Sequence, residues 1–375
     1  MHSVLTLAAL ALGFHPLAAR AATYSLAQSY QGNSFFQGWN FSTAPDQNYG
    51  YVTFQSQANA EAQKLVYLND KGNAVIKVDN VTVGQPADTT FGRNSVLMTS
   101  LAQIQVGSLV LFDALHMPYG CSVWPAFYLL GQNWPNNGEI DIVENVNLAT
   151  SAQYSLHTLS GCQHPSGKGN ETGVIVSTDC FNATNGNQGC IVRESQQNSF
   201  GQGFATVGGG GFATEFTSQG IKVWFFPRST LPSDWNSTSP NPDNWPTPSA
   251  YYPSSSCNIT QFFGPQSIVL DIDICGAFAG ASNVYNAGGL CPGQCVDVIK
   301  DPNTYNSAYF EIQFLKVFAQ PGTSTVSSKP TSTDSSTPSK SGNGGGAAGK
   351  NWGHVAGVAT LSLVFGLAGM FATLF

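Results

Sequence analysis

The run Gly138-Glu139-Ile140-Asp141-Ile142-Val143-Glu144-Asn145 decides how this chain is read. Ile140, Ile142 and Val143 are apolar and β-branched, which favours a strand with one buried face. Between and beside them stand three carboxylates, in a chain of which only 9% of the residues are charged. Plain two-residue alternation puts Glu139 and Asp141 on one face, Ile140 and Ile142 on the other, and aims Glu144 away from its fellows. One extra residue at Ile142 or Val143, a β-bulge, returns Glu144 to the face of Glu139 and Asp141.

That convergence has a chemical use. A retaining glycosidase holds two carboxyls roughly 5–5.5 Å apart, one as nucleophile and one as acid/base. Five extended residues span at most about 16–18 Å, so a bulge, strand curvature and two inward-leaning Glu side chains have to close the gap. Asp141, between them, crowds the pair and drives the carboxyl pKa values apart. A solvated acidic face or a calcium site is the alternative for such a cluster. The apolar interleaving and the tryptophans just upstream, Trp124 and Trp134, argue for catalysis.

These residues also carry a resemblance. Gly-Glu-Ile-Asp-Ile-Val-Glu is similar to the bulged active-site signature of glycoside hydrolase family 16, in its fungal laminarinase-like branch, and the likeness extends over most of residues 22–320. Supporting motifs are Gly92-Arg93-Asn94-Ser95-Val96, His116-Met117-Pro118-Tyr119-Gly120-Cys121, Trp124-Pro125-Ala126 and Ile221-Lys222-Val223-Trp224-Phe225-Phe226-Pro227-Arg228. The resemblance implies an all-β jelly-roll sandwich of two curved antiparallel sheets with a concave substrate groove. It implies retaining endo-hydrolysis of β-1,3-glucan, extending to mixed β-1,3/1,4-glucan. Glu139 would be the nucleophile, Glu144 the acid/base, and Asp141 would tune Glu139. His157, in Tyr-Ser-Leu-His-Thr, matches a motif histidine that faces the cleft; a packed core histidine is the alternative. Arg93 and Asn94 match a groove-lining motif, against a salt bridge for Arg93. Trp124 and Trp134 are candidate sugar-stacking residues, with a buried structural place the alternative for Trp124. The chain departs from the pattern at Gly276-Ala277-Phe278-Ala279-Gly280, where relatives tend to have Gly-Asp-Trp-Ala-Gly, and at Phe212, where a Trp is common. Phe278 keeps a stacking face but lacks an indole N–H donor.

Around this centre the chain is 375 residues long, with 40 Gly, 20 Pro, 12% aromatics and a net charge of −7. That suits one sizeable β-rich domain with appendages and gives no basic footprint for nucleic acid. A neutral, polyhydroxylated ligand fits the polar and aromatic surface; no cofactor or metal is expected, and a monomer is. Candidate strands are Tyr51–Phe54, Ala74–Val78, Ser95–Thr99, Val106–Ala114, Gly138–Val146, Gln153–His157, Gly220–Phe226, Ser267–Ile274 and Tyr309–Phe318, with a helical turn at Ala60–Leu65. Short strands between Gly, Pro, Asn and Ser turns indicate a sandwich. The polar loops Gly161–Gly211 and Pro227–Ser256 are expected at its rims.

Residues 1–21 read as a signal peptide, with an apolar run Val4–Phe14 and Ala19-Arg20-Ala21 before the cut. Eight cysteines then fit an oxidising compartment and four disulfides of undetermined pairing. Cys291-Pro-Gly-Gln-Cys295 also has a superficial likeness to a metal or redox motif, without histidine partners. Six sequons, at Asn40, Asn80, Asn170, Asn182, Asn236 and Asn258, agree with glycosylation. Residues 22–320 form the catalytic domain and residues 321–350 a Ser/Thr/Pro/Gly-rich stalk. Residues 351–375 are an apolar tail with no basic flank, which with the small residues at Asn343-Gly344-Gly345 matches a GPI-attachment signal at Asn343 better than a transmembrane helix. The expected product is a secreted enzyme on the outer membrane face or in the wall. A transglycosylase of the same family and a glucan-binding wall protein are the competing functions.

Overall fold

A computed structural model describes residues 24–167, 169–323 and 326–327. The signal peptide, the tail, Asn343 and nearly all of the stalk lie outside these residues. Two antiparallel sheets account for most of what is described. The catalytic sheet runs, in spatial order, Val174–Ile175, Cys190–Arg193, Gln153–His157, Glu139–Glu144, Val123–Gly131, Gln266–Ile274 and Leu97–Ile104, with Trp39–Phe41 and Val326–Ser327 along the last of these. The supporting sheet runs Ala250–Pro253, Gly220–Pro227, Gly210–Thr217, Ser108–His116, Tyr309–Ala319, Ala74–Lys77 and Val66–Leu68, with Ser25–Tyr30 along Tyr309–Ala319. Residues Val52–Phe54 and Arg93–Ser95 make a separate parallel pair.

The main core lies between the sheets. Ile140, Ile142, Val143, Phe127, Leu270 and Ile272 of the catalytic sheet meet Val110, Phe112, Phe212, Phe225 and Leu315 of the other. Each such side chain contributes about 1.5–3 kcal/mol when fully buried. Leu109, Leu111, Ala213, Trp224 and Phe226 belong to a second apolar cluster, with Trp235 and the partly buried Trp245. Ser108–His116 is thus buried on both faces, which explains why it reads as a continuous apolar run. The segment after Pro227, expected at a rim, instead packs its tryptophans over the back of the supporting sheet; Asp113 accepts the Trp235 indole N–H at 2.7 Å.

Most expected strands appear within a residue or two of their bounds. Val123–Gly131 is a central strand outside the expected set, and it contains Pro125, a residue that argues against such a place. It is tolerated because the pairing with the glutamate strand stops at Ala126, leaving Pro125 opposite only Ile272. The eight cysteines pair as Cys121–Cys291, Cys162–Cys257, Cys180–Cys190 and Cys275–Cys295. The Cys291/Cys295 spacing is therefore two separate bridges and no metal or redox motif.

Candidate active site

The glutamate strand contains the bulge. Against Val123–Gly131, Glu139 pairs with Leu130, Asp141 with Tyr128, Val143 with Phe127 and Glu144 with Ala126. Ile142 is the residue passed over. On the other side Asp141 pairs with Ser155 and Glu144 with Gln153, so Ile142 and Val143 together oppose one residue. Leu130, Tyr128 and Ala126 alternate along a regular strand, so their partners Glu139, Asp141 and Glu144 share its outer face. Ile142 and Val143 both turn into the core, at 1% and 0% exposure. The bulge also shortens the gap: Glu139 and Glu144 stand opposite residues four apart, about 13 Å of strand rise, which two Glu side chains can close from both ends.

Each carboxylate has its own partner. The Trp134 indole N–H donates to Glu139 Oε2 at 2.6 Å. The Trp124 indole N–H donates to Glu144 Oε1 at 3.0 Å, and Gln153 approaches Oε2 at 3.5 Å. Asp141 Oδ2 accepts from Ser155 Oγ at 2.5 Å and lies 3.1 Å from His157 Nε2. His157 Nδ1 faces Asn187 Oδ1 at 3.2 Å. Both ring nitrogens therefore face acceptors, the arrangement of a doubly protonated imidazolium.

The electrostatics agree with that reading. Burial opposes the charge on His157, but the hydrogen bond and charge of Asp141, then the charges of Glu139 and Glu144, outweigh it and hold the imidazole up at about 10. Burial, then Asp141, raises Glu139 to about 8, against the His157 charge and the Trp134 bond. Burial, then Asp141, raises Glu144 to about 7, against His157, Trp124 and Gln153. Both glutamates therefore hold protons up to near neutrality, which supplies a protonated acid/base at working pH. The His157 charge and the Trp134 bond are the contacts that favour an ionised Glu139. Glu139 and Glu144 are half-buried and Trp134 is 42% exposed, so the row is open to solvent along the sheet face.

The remaining expected residues divide. Phe278 meets Trp124 edge to face, with ring centroids 5.5 Å apart, so it borders the Glu144 side of the row. Asn94 joins a polar network instead, accepting from Gln55 at 3.0 Å and donating to Gln63 at 2.7 Å. Arg93 is corrected: it is fully buried and cannot line a groove. Its guanidinium donates to the carbonyls of Ile299 (2.8 Å) and Thr82 (2.7 Å), stands 3.6 Å from Asp79, and lies between the Phe91 and Tyr305 rings. Phe212 is likewise a core residue, 5.0 Å from the Phe225 ring, and no sugar contact. The sequence reading missed Tyr128, Gln153, Ser155 and Asp271. Asp271 pairs with Ala126 on the next strand, beside the pairing of Ala126 with Glu144; burial, then Asp273, raises its carboxyl well above the usual range. Alternation within Leu-Asp271-Ile-Asp273-Ile was the available signal, of the same kind as in the glutamate strand.

Two partly buried glutamates on one open strand face, each accepting from an indole N–H and each held above the usual carboxylate range, are the equipment of a two-carboxylate glycosidase. Residues 39–318 match the family described as the XgeA-like, catalytic GH16 domain, and the chain belongs to glycoside hydrolase family 16. Among curated relatives, a probable glycosidase of Schizosaccharomyces pombe is 39% identical over 80% of this chain and 70% of its own length. A probable endo-1,3(4)-beta-glucanase of Aspergillus fumigatus is 38% identical over 84% of this chain, which spans 48% of that protein. The fold matches that of the GH16 laminarinase 16A of Phanerochaete chrysosporium, solved with two β-glucans in donor and acceptor sites, at a TM-score of 0.75 and 35% identity over 79% of this chain and 100% of that one. A solved GH16 elongating β-1,3-glucosyltransferase gives a TM-score of 0.73 at 34% identity, again over 79% of this chain and 100% of that one.

Proposed function

We propose that this protein is a retaining endo-β-glucanase that cuts β-1,3-glucan, with mixed β-1,3/1,4-glucan as a second substrate. One observation carries the mechanism: the bulge at Ile142 sets Glu139, Asp141 and Glu144 on one face. In the first step Glu139 attacks the anomeric carbon while Glu144 protonates the departing glycosidic oxygen. Water deprotonated by Glu144 then opens the glycosyl ester and frees Glu139. Trp134 and the Asp141–His157 pair flank Glu139 as it gains and loses charge, and Trp124 orients Glu144. Trp124, Trp134 and Phe278 offer apolar faces to sugar rings in the groove. The named relatives support a β-glucan substrate. Product analysis on laminarin tests the reading: a ladder of short β-1,3-oligosaccharides is expected, and no cleavage would reject it.

A second reading has the glucosyltransferase neighbour behind it. Another glucan chain in place of water would resolve the glycosyl ester by transfer. Adding acceptor oligosaccharide to the same assay separates the two, because transfer lengthens products at the expense of reducing ends. We also propose a place outside the cell, on the membrane face through a lipid at Asn343 or in the wall. The signal-like run Val4–Phe14, the small residues Asn343-Gly344-Gly345 and the apolar segment after them support it. No helix among the described residues is long and apolar enough to cross a membrane.

A further inference from the structure

The back of the supporting sheet, away from the carboxylates, holds a cavity of about 510 Å3, within the ~300–1,000 Å3 range of small-ligand sites. Its walls come from separate parts of the chain: Gln31 after the first strand, Asn73 at a hairpin turn, Asp113 and Phe314 on the sheet, and Arg228 to Asn236 in the loop that covers the second apolar cluster. Arg228 donates to Asp113 at 2.9 Å, so that charge pair is closed within the wall. Lys71 remains as an unpaired charge of the wall among the described residues. The Asn73 amide already donates to Glu311 at 2.8 Å and Lys316 covers the Phe314 ring. What is left for a ligand is the exposed amides of Gln31 and Gln313 with the half-buried Leu231. That combination suits a neutral sugar, whose hydroxyl and amide groups bond amides and whose C–H faces lie on apolar surface.

The wall residue Asn236 opens the sequon Asn236-Ser237-Thr238. Asn236 is exposed, and its amide makes no hydrogen bond among the described residues. It stands in a turn, with Trp235 N–H bonded to Pro232 O and Ser237 N–H to Asp234 O, each at 2.9 Å. By contrast, the Asn80 amide already donates to Asn306 at 2.8 Å. We propose that Asn236 carries an N-linked glycan whose first N-acetylglucosamine units lie in this cavity. The glycan then bridges the Arg228–Asn236 loop to the hairpin turn at Asn73 and holds the loop closed over Trp235. This inference rests on passage through a secretory compartment, and is independent of the roles of Glu139 and Glu144.

The test uses full-length protein secreted from a yeast host, with glycopeptide mass spectrometry and thermal unfolding. Thr238→Ala removes the sequon without touching Asn236, and Thr238 is exposed. Asn170→Gln removes a sequon on an exposed residue outside the cavity. Occupied Asn236 is expected, with Thr238→Ala lowering Tm by about 2–4 °C, Asn170→Gln leaving it unchanged, and laminarin hydrolysis at 25 °C equal in all three. An unmodified Asn236 in protein glycosylated at other sequons would overturn the proposal. So would an occupied Asn236 with an unshifted Tm in Thr238→Ala. Absence of glycan at every sequon would refute the secretory reading together with it, and loss of laminarin cleavage by the wild type would bear only on the proposed activity.

Discussion

His157 Nε2 lies 3.1 Å from Asp141 Oδ2, on the strand beside the one that carries both glutamates. The imidazolium this contact maintains is a fixed positive charge, and it lowers the pKa of Glu139 and of Glu144 alike. His157→Gln keeps a donor for Asp141 but removes the charge. Both carboxyl pKa values should then rise, so both limbs of kcat/KM against pH move to higher pH. Activity should fall most on the acidic side, where Glu139 must lose its proton. Unmoved limbs, or limbs moved to lower pH, would show that His157 is not charged in the working enzyme.

The 2.6 Å bond from Trp134 to Glu139 favours ionised Glu139. Hydrogen bonds to charged groups contribute about 1.5–3 kcal/mol. Trp134→Phe keeps an aromatic face but loses the donor. It should lower kcat about 10- to 100-fold, with the acidic limb moved upward and KM for laminarin changed much less. A rise in KM with kcat intact would make Trp134 a stacking residue only.

Arg93 ties together backbone around Thr82 and Ile299 from inside the protein. Arg93→Met leaves those carbonyls without their donor and Asp79 without its counter-charge, while the Val81 and Thr82 N–H groups still bond its carboxylate. Removing one partner of a buried pair costs about 3–5 kcal/mol, so the urea midpoint should fall sharply while KM of the folded fraction stays near wild type. Unchanged stability with a raised KM would restore Arg93 to the groove.

Chemical rescue separates the two glutamates. Glu144→Ala should fail on laminarin yet form the glycosyl ester from an aryl β-glycoside whose leaving group needs no protonation. Glu139→Gln should fail on both while still binding glucan. The reverse pattern would exchange the roles.

The sandwich, the bulge and the shared face of the three carboxylates were legible because β-branched residues alternate with acids over a single strand, and one misplaced residue betrays the bulge. His157 was legible as a strand residue of the right parity. Arg93 was misplaced because a motif fixes neighbours in sequence, and nothing in it tells that Phe91 and Tyr305 enclose the guanidinium. Phe212 was misplaced for the same reason, since its face depends on a strand, Gly210–Thr217, whose opening glycines hid the alternation. Disulfide pairing and the tryptophan cover of the supporting sheet depend on long-range contacts that spacing does not encode.

The central claim, that the bulge converges Glu139 and Glu144 for a double displacement, is tested most directly by following the first product with proton NMR as β-glucan is cut. The β-anomer should appear first and then mutarotate. Initial appearance of the α-anomer would mean direct displacement by water, and would contradict the assignment of Glu139 as nucleophile.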